Sequence, residues 1–206
     1  MPDWQGQSSQ DLPMYYSFNL GNVHFISIST EYYYFLNYGG MQIARQYNWL
    51  VNDLEKAVQN RQDQPWIVIF GHRPMYCSDD DNDDCTFHNS RTRTGLPLLH
   101  LWGLEELLQR YSVDLVLWAH EHDFERFWPV YDFQIKNGSL NEPYTNPKAP
   151  VHIITGSAVS FILDSLVLKK ISTNRIIYRD AKRNTIPGYL NLISQPSDLL
   201  IMGTPE

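Results

Sequence analysis

Two short apolar runs, each followed by histidine, constrain the fold of this chain more than any other sequence feature. Trp66–Phe70 precedes His72, and Val113–Leu117 precedes His120 and His122. Each run has the length and composition of a buried β-strand, and a helical pattern separates them. A strand–helix–strand unit makes neighbouring parallel strands, and functional groups of such sheets gather at the carboxyl ends of the strands. The sequence therefore predicts an α/β fold with three imidazoles on one rim, which indicates a metal site.

Composition narrows the classes of partner. The chain has 206 residues, enough for one domain with its own core, and a formal net charge of −7. An acidic chain without a basic stripe argues against nucleic acid as a partner.

The longest apolar stretch, residues 153–168, is interrupted by polar residues and is shorter than a membrane-spanning helix requires. The N-terminus lacks the basic start and apolar middle of a signal peptide. We expect a partner that is neither nucleic acid nor membrane, and oligomeric state is left open.

Two weak features concern the cellular compartment. Cys77 and Cys85 are the only cysteines, and they are either free surface thiols or a local disulfide formed in an oxidising compartment. Asn137 begins an Asn-Gly-Ser triplet, the acceptor pattern for N-glycosylation. Together the two features favour a secreted protein.

The remaining periodicities predict the scaffold. A β-hairpin turns at Leu20-Gly21-Asn22, an amphipathic helix covers Met41–Val58, a crossover helix covers Pro97–Tyr111, and Val151–Ile154 forms another buried strand. The acidic run Asp79–Asp84 lacks the glycine and glutamate spacing of an EF-hand loop. We interpret that run as a solvated face.

The two histidine segments, in this order, resemble the purple acid phosphatases within the calcineurin-like metallophosphoesterases. Ile67–Tyr76 is similar to that family's Val-x-x-His segment. Ala119–Arg126 resembles its Gly-His-x-His-x-(Tyr/Phe)-Glu-Arg motif, with Ala119 in place of glycine. Pro150–Ala158 also fits, and the resemblance, closest to the animal iron/zinc type, covers roughly residues 1–158.

The resemblance implies hydrolysis of small phosphate monoesters by a metal-bound hydroxide at a two-metal centre, typically iron beside zinc or manganese. It assigns His72 and His120 to the divalent metal and His122 to the iron. It also suggests that His88 contacts phosphate or protonates the leaving group. For a full-length family member it implies the secretory pathway.

The sequence also departs from the family pattern. The family's first three motifs, which supply a bridging aspartate, a second aspartate, a tyrosinate and an asparagine, have no counterpart here. We therefore expect part of the family's two-sheet sandwich flanked by helices, with its N-terminal half missing. Residues 1–158 would be the C-terminal part of the catalytic domain, and residues 159–206 a divergent tail of unknown structure.

Two alternatives stay open beside the phosphatase reading. One is a non-catalytic remnant of truncation or splicing that holds at most one zinc. The other is a single-zinc hydrolase in which Glu121 or Asp123 acts as the general base.

Overall fold

A mixed sheet flanked by helices forms the centre of the computed structural model, which describes residues 14–38, 40–78, 82–139, 141–156 and 175–176. The strands are β1 (Tyr16–Leu20), β2 (Val23–Ser27), β3 (Trp66–Phe70), β4 (Gly95–Leu96), β5 (Leu101–Trp102), β6 (Leu115–Trp118), β7 (Phe124–Arg126), β8 (Val130–Tyr131), β9 (Gln134–Ile135), β10 (Val151–Thr155) and β11 (Arg175–Ile176). The helices are α1 (Met41–Gln59), α2 (Arg91–Thr94) and α3 (Leu104–Arg110), with short 3-10 turns at Glu31–Tyr33 and Leu36–Tyr38.

Within the described part of the chain, the main sheet has seven strands in the order β1-β2-β3-β6-β10-β7-β11, and β4-β5 and β8-β9 form two small sheets. The predicted α/β class is therefore confirmed, and the described residues show one large sheet of the predicted sandwich. Apart from β11, the predicted tail lies outside the described residues, as do residues 1–13. Among the described residues, no helix has the length and apolar content to cross a membrane.

The parallel centre of the sheet brings the histidine-bearing strand ends together. β3 pairs in parallel with β6, and β6 pairs in parallel with β10. The ladder continues past the strands, because the Gly71 N–H donates to the Leu117 carbonyl and the Ala119 N–H donates to the His72 carbonyl, at 3.1 and 3.0 Å. The predicted strand–helix–strand unit thus ends with its two histidine segments side by side.

The edge hairpin and the long helix also match the prediction. β1 and β2 are antiparallel and turn at Gly21, whose φ of +57° glycine adopts without steric cost because it has no Cβ. α1 extends the predicted helix by one residue and buries Ile43, Leu50 and Leu54. Gln46 of α1 accepts from the Ser29 N–H and donates to its carbonyl, so the helix is fixed to the chain just after β2.

The predicted crossover helix Pro97–Tyr111 is wrong over its first half. α3 begins only at Leu104, after Gly103, and the preceding residues form the β4-β5 hairpin. Leu98, His100 and Trp102 have positive φ values of 71°, 47° and 65°, which interrupt an α-helix. Leu98, expected on the buried face, is instead 95% exposed. The leucine spacing resembles a helical stripe, but the backbone between Gly95 and Gly103 turns back on itself.

His152 of β10 is a buried imidazole whose protonation should oppose folding. Its Nδ1 accepts from Trp118 Nε1–H at 3.0 Å, and burial lowers its pKa from 6.5 to about 3. Between pH 6.5 and about 3, the His152 imidazole therefore stays neutral in the folded chain, whereas in the unfolded chain it takes up a proton. Stability should be complete above pH 6.5 and fall as pH drops toward 3, by about 1.4 kcal/mol per pH unit.

Comparison with His152→Phe isolates this contribution. We expect the parent to lose about 2–3 kcal/mol more unfolding free energy than the variant between pH 6.5 and 4.5, measured by urea denaturation. At pH 6.5 the variant should have a lower unfolding free energy than the parent, because Trp118 Nε1 loses its hydrogen-bond acceptor. Equal losses in the two proteins would show that His152 does not titrate on unfolding.

Candidate metal centre

His72 and His120 meet edge to face where β3 and β6 end. Nε2 of His72 lies 3.1 Å from Nδ1 of His120, and the ring centroids are 4.9 Å apart at an interplanar angle of 79°. The His72 side chain is 49% exposed, so one side of the pair is open to solvent. Of the sequence-predicted ligands, these two are brought into direct contact.

The spacing of these nitrogens fits a shared metal ion. Imidazole nitrogens bind zinc at about 2.0–2.1 Å, and two nitrogens 3.1 Å apart would then subtend about 95–100° at the ion. That angle lies between octahedral and tetrahedral values. The pair therefore offers two adjacent coordination positions.

His72 is electrostatically suited to act as a neutral ligand. Its pKa is lowered chiefly because partial burial disfavours the imidazolium, and the nearby His120, Arg73 and His122 lower it further against the opposing carboxylate of Glu31. His122 itself is exposed. It is thus close enough to influence His72, but it does not belong to the close pair.

Strained backbone presents His120 to the rim. Its φ is +59°, and the Glu121 N–H donates to the Ala119 carbonyl at 2.7 Å across it, which closes a three-residue turn. A non-glycine residue in this region costs on the order of 1 kcal/mol and is held there by its surroundings. Part of that support is Gly156 after β10, where a Cβ would lie 2.0 Å from the Glu121 carbonyl oxygen.

Arg73 is the main charged contact of the rim, and the sequence did not single it out. Its Nε donates to Glu31 at 2.9 Å, its Nη1 donates to Asp84 at 2.7 Å, and the same Nη1 lies 3.1 Å from His120 Nε2. The guanidinium also lies 4.8 Å from the Tyr34 ring centroid. Its position directly after His72 is the one signal that could have indicated this role.

The interpretation of the acidic run as a solvated face is wrong for Asp84. The Asp84 side chain is only 2% exposed and pairs with Arg73. Burial and the adjacent Asp83 raise the pKa of Asp84 to about 6, against the opposing effect of Arg73. Asp83 is half-buried, with Oδ2 3.1 Å from His120 Nε2. Residues 79–81 lie outside the described residues.

One oxygen or nitrogen from each of Asp83, Asp84, His120 and Glu121 lies within 4.8 Å of the others, which is close enough for a cation. The Arg73 guanidinium already contacts two members of this group. Arg73 therefore compensates the acidic charge there without a metal.

Cys77 and Cys85 form a disulfide, so the disulfide alternative is confirmed. Both residues are buried, and Cys85 Sγ lies 3.1 Å from Glu121 Oε1. A disulfide offers no thiolate for a metal. It instead joins the two described parts of the rim loop, residues 71–78 and 82–90 between β3 and α2, beside the segment that carries His120. Glu125 of β7 also accepts from the Ser78 N–H of this loop at 3.2 Å.

His88 lies on the same rim loop with its imidazole exposed. The ring stacks on Phe133 at a centroid distance of 4.5 Å. Its carbonyl accepts from Arg93 Nε and Nη2 at 3.1 and 2.6 Å, and Arg93 is itself paired with Glu105 at 2.5 Å. Several contacts therefore hold His88 in place, and its catalytic role stays a prediction.

Asn137, the predicted glycosylation site, is half-buried and precedes a turn. The turn closes through the Gly138 N–H, which donates to the Pro143 carbonyl at 3.0 Å. Modification of Asn137 also stays a prediction.

Comparisons with known proteins agree with this architecture. Residues 3–124 match the family model of the calcineurin-like phosphoesterases. Acid phosphatase type 7 of Mus musculus is 59% identical over 147 residues, which cover 70% of this chain and 33% of that protein. The Danio rerio protein of the same name is 56% identical over 155 residues, covering 70% of this chain and 34% of that protein.

More distant matches include a probable inactive purple acid phosphatase 9 of Arabidopsis thaliana, which is 34% identical and matches 75% of this chain and 20% of its own length. A purple acid phosphatase structure from yellow lupin, Lupinus luteus, aligns at a TM-score of 0.47 and 22% identity, covering 70% of this chain and 23% of that one. This chain spans about a third of the length of the animal relatives. The relatives confirm the resemblance to purple acid phosphatases, and because the family model matches more than half of the sequence, the chain belongs to the calcineurin-like phosphoesterases.

Proposed function

We propose that this chain carries the divalent-metal part of a phosphomonoester hydrolase site, with His72 and His120 as ligands of one ion. The single observation that supports this most strongly is the 3.1 Å spacing of His72 Nε2 and His120 Nδ1, at which both nitrogens can bind one metal ion. The animal relatives named acid phosphatase support the hydrolytic class.

The exposed His122 is proposed to bind the second metal, iron, beside a zinc or manganese ion at the His72–His120 pair. When bound, such a pair of ions activates water and neutralises charge that develops on the phosphoryl group. The half-exposed edge of His72 leaves room for the anion of a small phosphate ester. His88, fixed through Phe133 and Arg93, is proposed to contact that phosphate or to protonate the leaving group.

Three imidazoles are too few ligands for a two-metal centre, since a single catalytic zinc already takes three protein ligands. Two cations a few ångströms apart also repel each other unless a carboxylate bridges them. We therefore propose that hydrolysis at the rate of a complete centre needs ligands beyond these three. The second candidate, a non-catalytic chain that holds one zinc, is favoured by the single close pair of imidazoles, His72 and His120, among the residues that the structure describes.

The disulfide Cys77–Cys85 supports an oxidising compartment. With the acceptor triplet at Asn137, it leads us to propose the secretory route for the full-length protein.

The test of this function is hydrolysis of p-nitrophenyl phosphate by the chain after incubation with zinc and iron. We expect zinc to bind and turnover to stay near the metal-free background, because three imidazoles alone do not make a two-metal centre. Metal-dependent turnover that is lost in both His72→Ala and His120→Ala would support the ligand assignment and overturn the proposal of an incomplete centre. Turnover that survives in both variants would overturn the ligand assignment itself.

A further inference from the structure

His120 has competing partners on both sides of its ring. Nδ1 faces His72 Nε2 at 3.1 Å, while Nε2 lies 3.1 Å from Arg73 Nη1 and 3.1 Å from Asp83 Oδ2. Arg73 can only donate, and an ionised carboxylate can only accept. A neutral imidazole carries one proton, so no single tautomer satisfies all three contacts.

Each tautomer satisfies a different set of these partners. With the proton on Nδ1, His120 donates to His72 Nε2 and its bare Nε2 accepts from Arg73. With the proton on Nε2, His120 donates to Asp83, and the lone pair of Nδ1 faces His72. Only the second tautomer presents Nδ1 and His72 Nε2 as two lone pairs on the same side.

We propose that Asp83 is a positioning residue that stabilises the Nε2–H tautomer of His120 and thereby directs Nδ1 to the metal, while Arg73 stabilises the opposite tautomer. The metal assignment rests on the proposed function, but the tautomer preference does not. Interconversion moves one proton from Nδ1 to Nε2 by exchange with water, and neither the net charge nor the proton count of the chain changes.

Asp83, rather than its neighbour Asp84, is the acceptor. Asp84 Oδ2 is 2.7 Å from Arg73 Nη1 and 3.7 Å from His120 Nε2, which is beyond hydrogen-bonding distance. Asp84 therefore balances the guanidinium. Carboxylates that accept from the second nitrogen of a ligating histidine fix its tautomer, and their loss typically weakens metal binding about 10–100-fold.

The experiment compares the full chain with Asp83→Asn by long-range ¹H–¹⁵N correlation spectroscopy of the imidazoles, first without metal and then during zinc titration. The asparagine amide can donate to Nε2, so the ratio of the Nε2–H to the Nδ1–H form of His120 should fall about three- to tenfold. In the parent, zinc should fix the Nε2–H form. In Asp83→Asn, the zinc dissociation constant should rise about 10–100-fold.

Asp53→Asn is the matched control, because Asp53 Oδ2 makes the same kind of contact with His24 Nε2 at 2.9 Å, away from the histidine pair. We expect this variant to leave the signals of His120 and the affinity for zinc unchanged. An unaltered His120 tautomer ratio in metal-free Asp83→Asn would overturn the inference. If zinc did not bind the parent, the proposed metal site would fail, and the metal-free ratio would still decide the role of Asp83.

Discussion

Replacing Arg73 with methionine is expected to lower the free energy of unfolding by about 2–3 kcal/mol, because the variant leaves the buried Asp84 carboxyl and Glu31 without their shared partner. The Asp84 side chain is 2% exposed, and Arg73 Nη1 lies 2.7 Å from its Oδ2. The same guanidinium donates to Glu31 at 2.9 Å and packs on the Tyr34 ring. Urea denaturation at neutral pH measures the loss directly.

Two further variants separate the buried pair from a general effect of losing an arginine. Arg110→Met removes an exposed pair with Glu106, whose side chains are 59% and 72% accessible, and should leave the free energy of unfolding nearly unchanged because solvent screens such pairs. The double variant Arg73→Met/Asp84→Asn should recover at least half of the loss, since no unpaired charge stays buried. A loss below about 1 kcal/mol in Arg73→Met, or no recovery in the double variant, would contradict the role given to this pair.

The second large effect is expected at Gly156. A Cβ at this position would lie 2.0 Å from the carbonyl oxygen of Glu121 and 3.3 Å from the carbonyl carbon of Ala119. Both atoms belong to backbone, so no side-chain rotation relieves the overlap. Gly156→Ala should therefore destabilise the chain by about 3 kcal/mol, at the upper end of overpacking costs. It should also weaken zinc binding, because the displaced segment carries His120 and His122.

Gly40→Ala is the control for that substitution. Gly40 has a φ of −60°, and apart from its chain neighbours no atom of the described residues lies within 4 Å of its added Cβ. Its replacement should stay within about 1 kcal/mol of the parent and leave zinc affinity unchanged. If Gly156→Ala behaved in the same way, the close approach of β10 to the histidine segment would not constrain the site.

The parts of the fold that the sequence predicted are those with local or periodic signals. The apolar runs of β3, β6 and β10 and the period of α1 are visible in the sequence because each face is buried as a unit. The meeting of His72 and His120 followed from the parallel order of their strands. Leu98 was misplaced because positive φ values between Gly95 and Gly103 leave little trace in hydrophobic spacing.

The role of Asp84 could not be predicted, because its environment depends on residues far away in the chain. An acidic run is usually solvated, and burial of this carboxylate is made favourable chiefly by the charge of Arg73, eleven residues earlier in the chain. The same holds for Asp83, whose relevance arises from a contact with His120 thirty-seven residues later. Local pattern carries no information on such pairs.

Zinc titration of the chain by isothermal calorimetry tests the central claim, a metal shared by His72 and His120, most directly. We predict one zinc per chain, with affinity reduced at least about 100-fold in His72→Ala and in His120→Ala. His100→Asn, which removes an exposed imidazole at a φ of 47° that asparagine tolerates, should bind as the parent does. Binding that is equally tight in the two alanine variants, or no binding in the parent, would contradict the shared metal site.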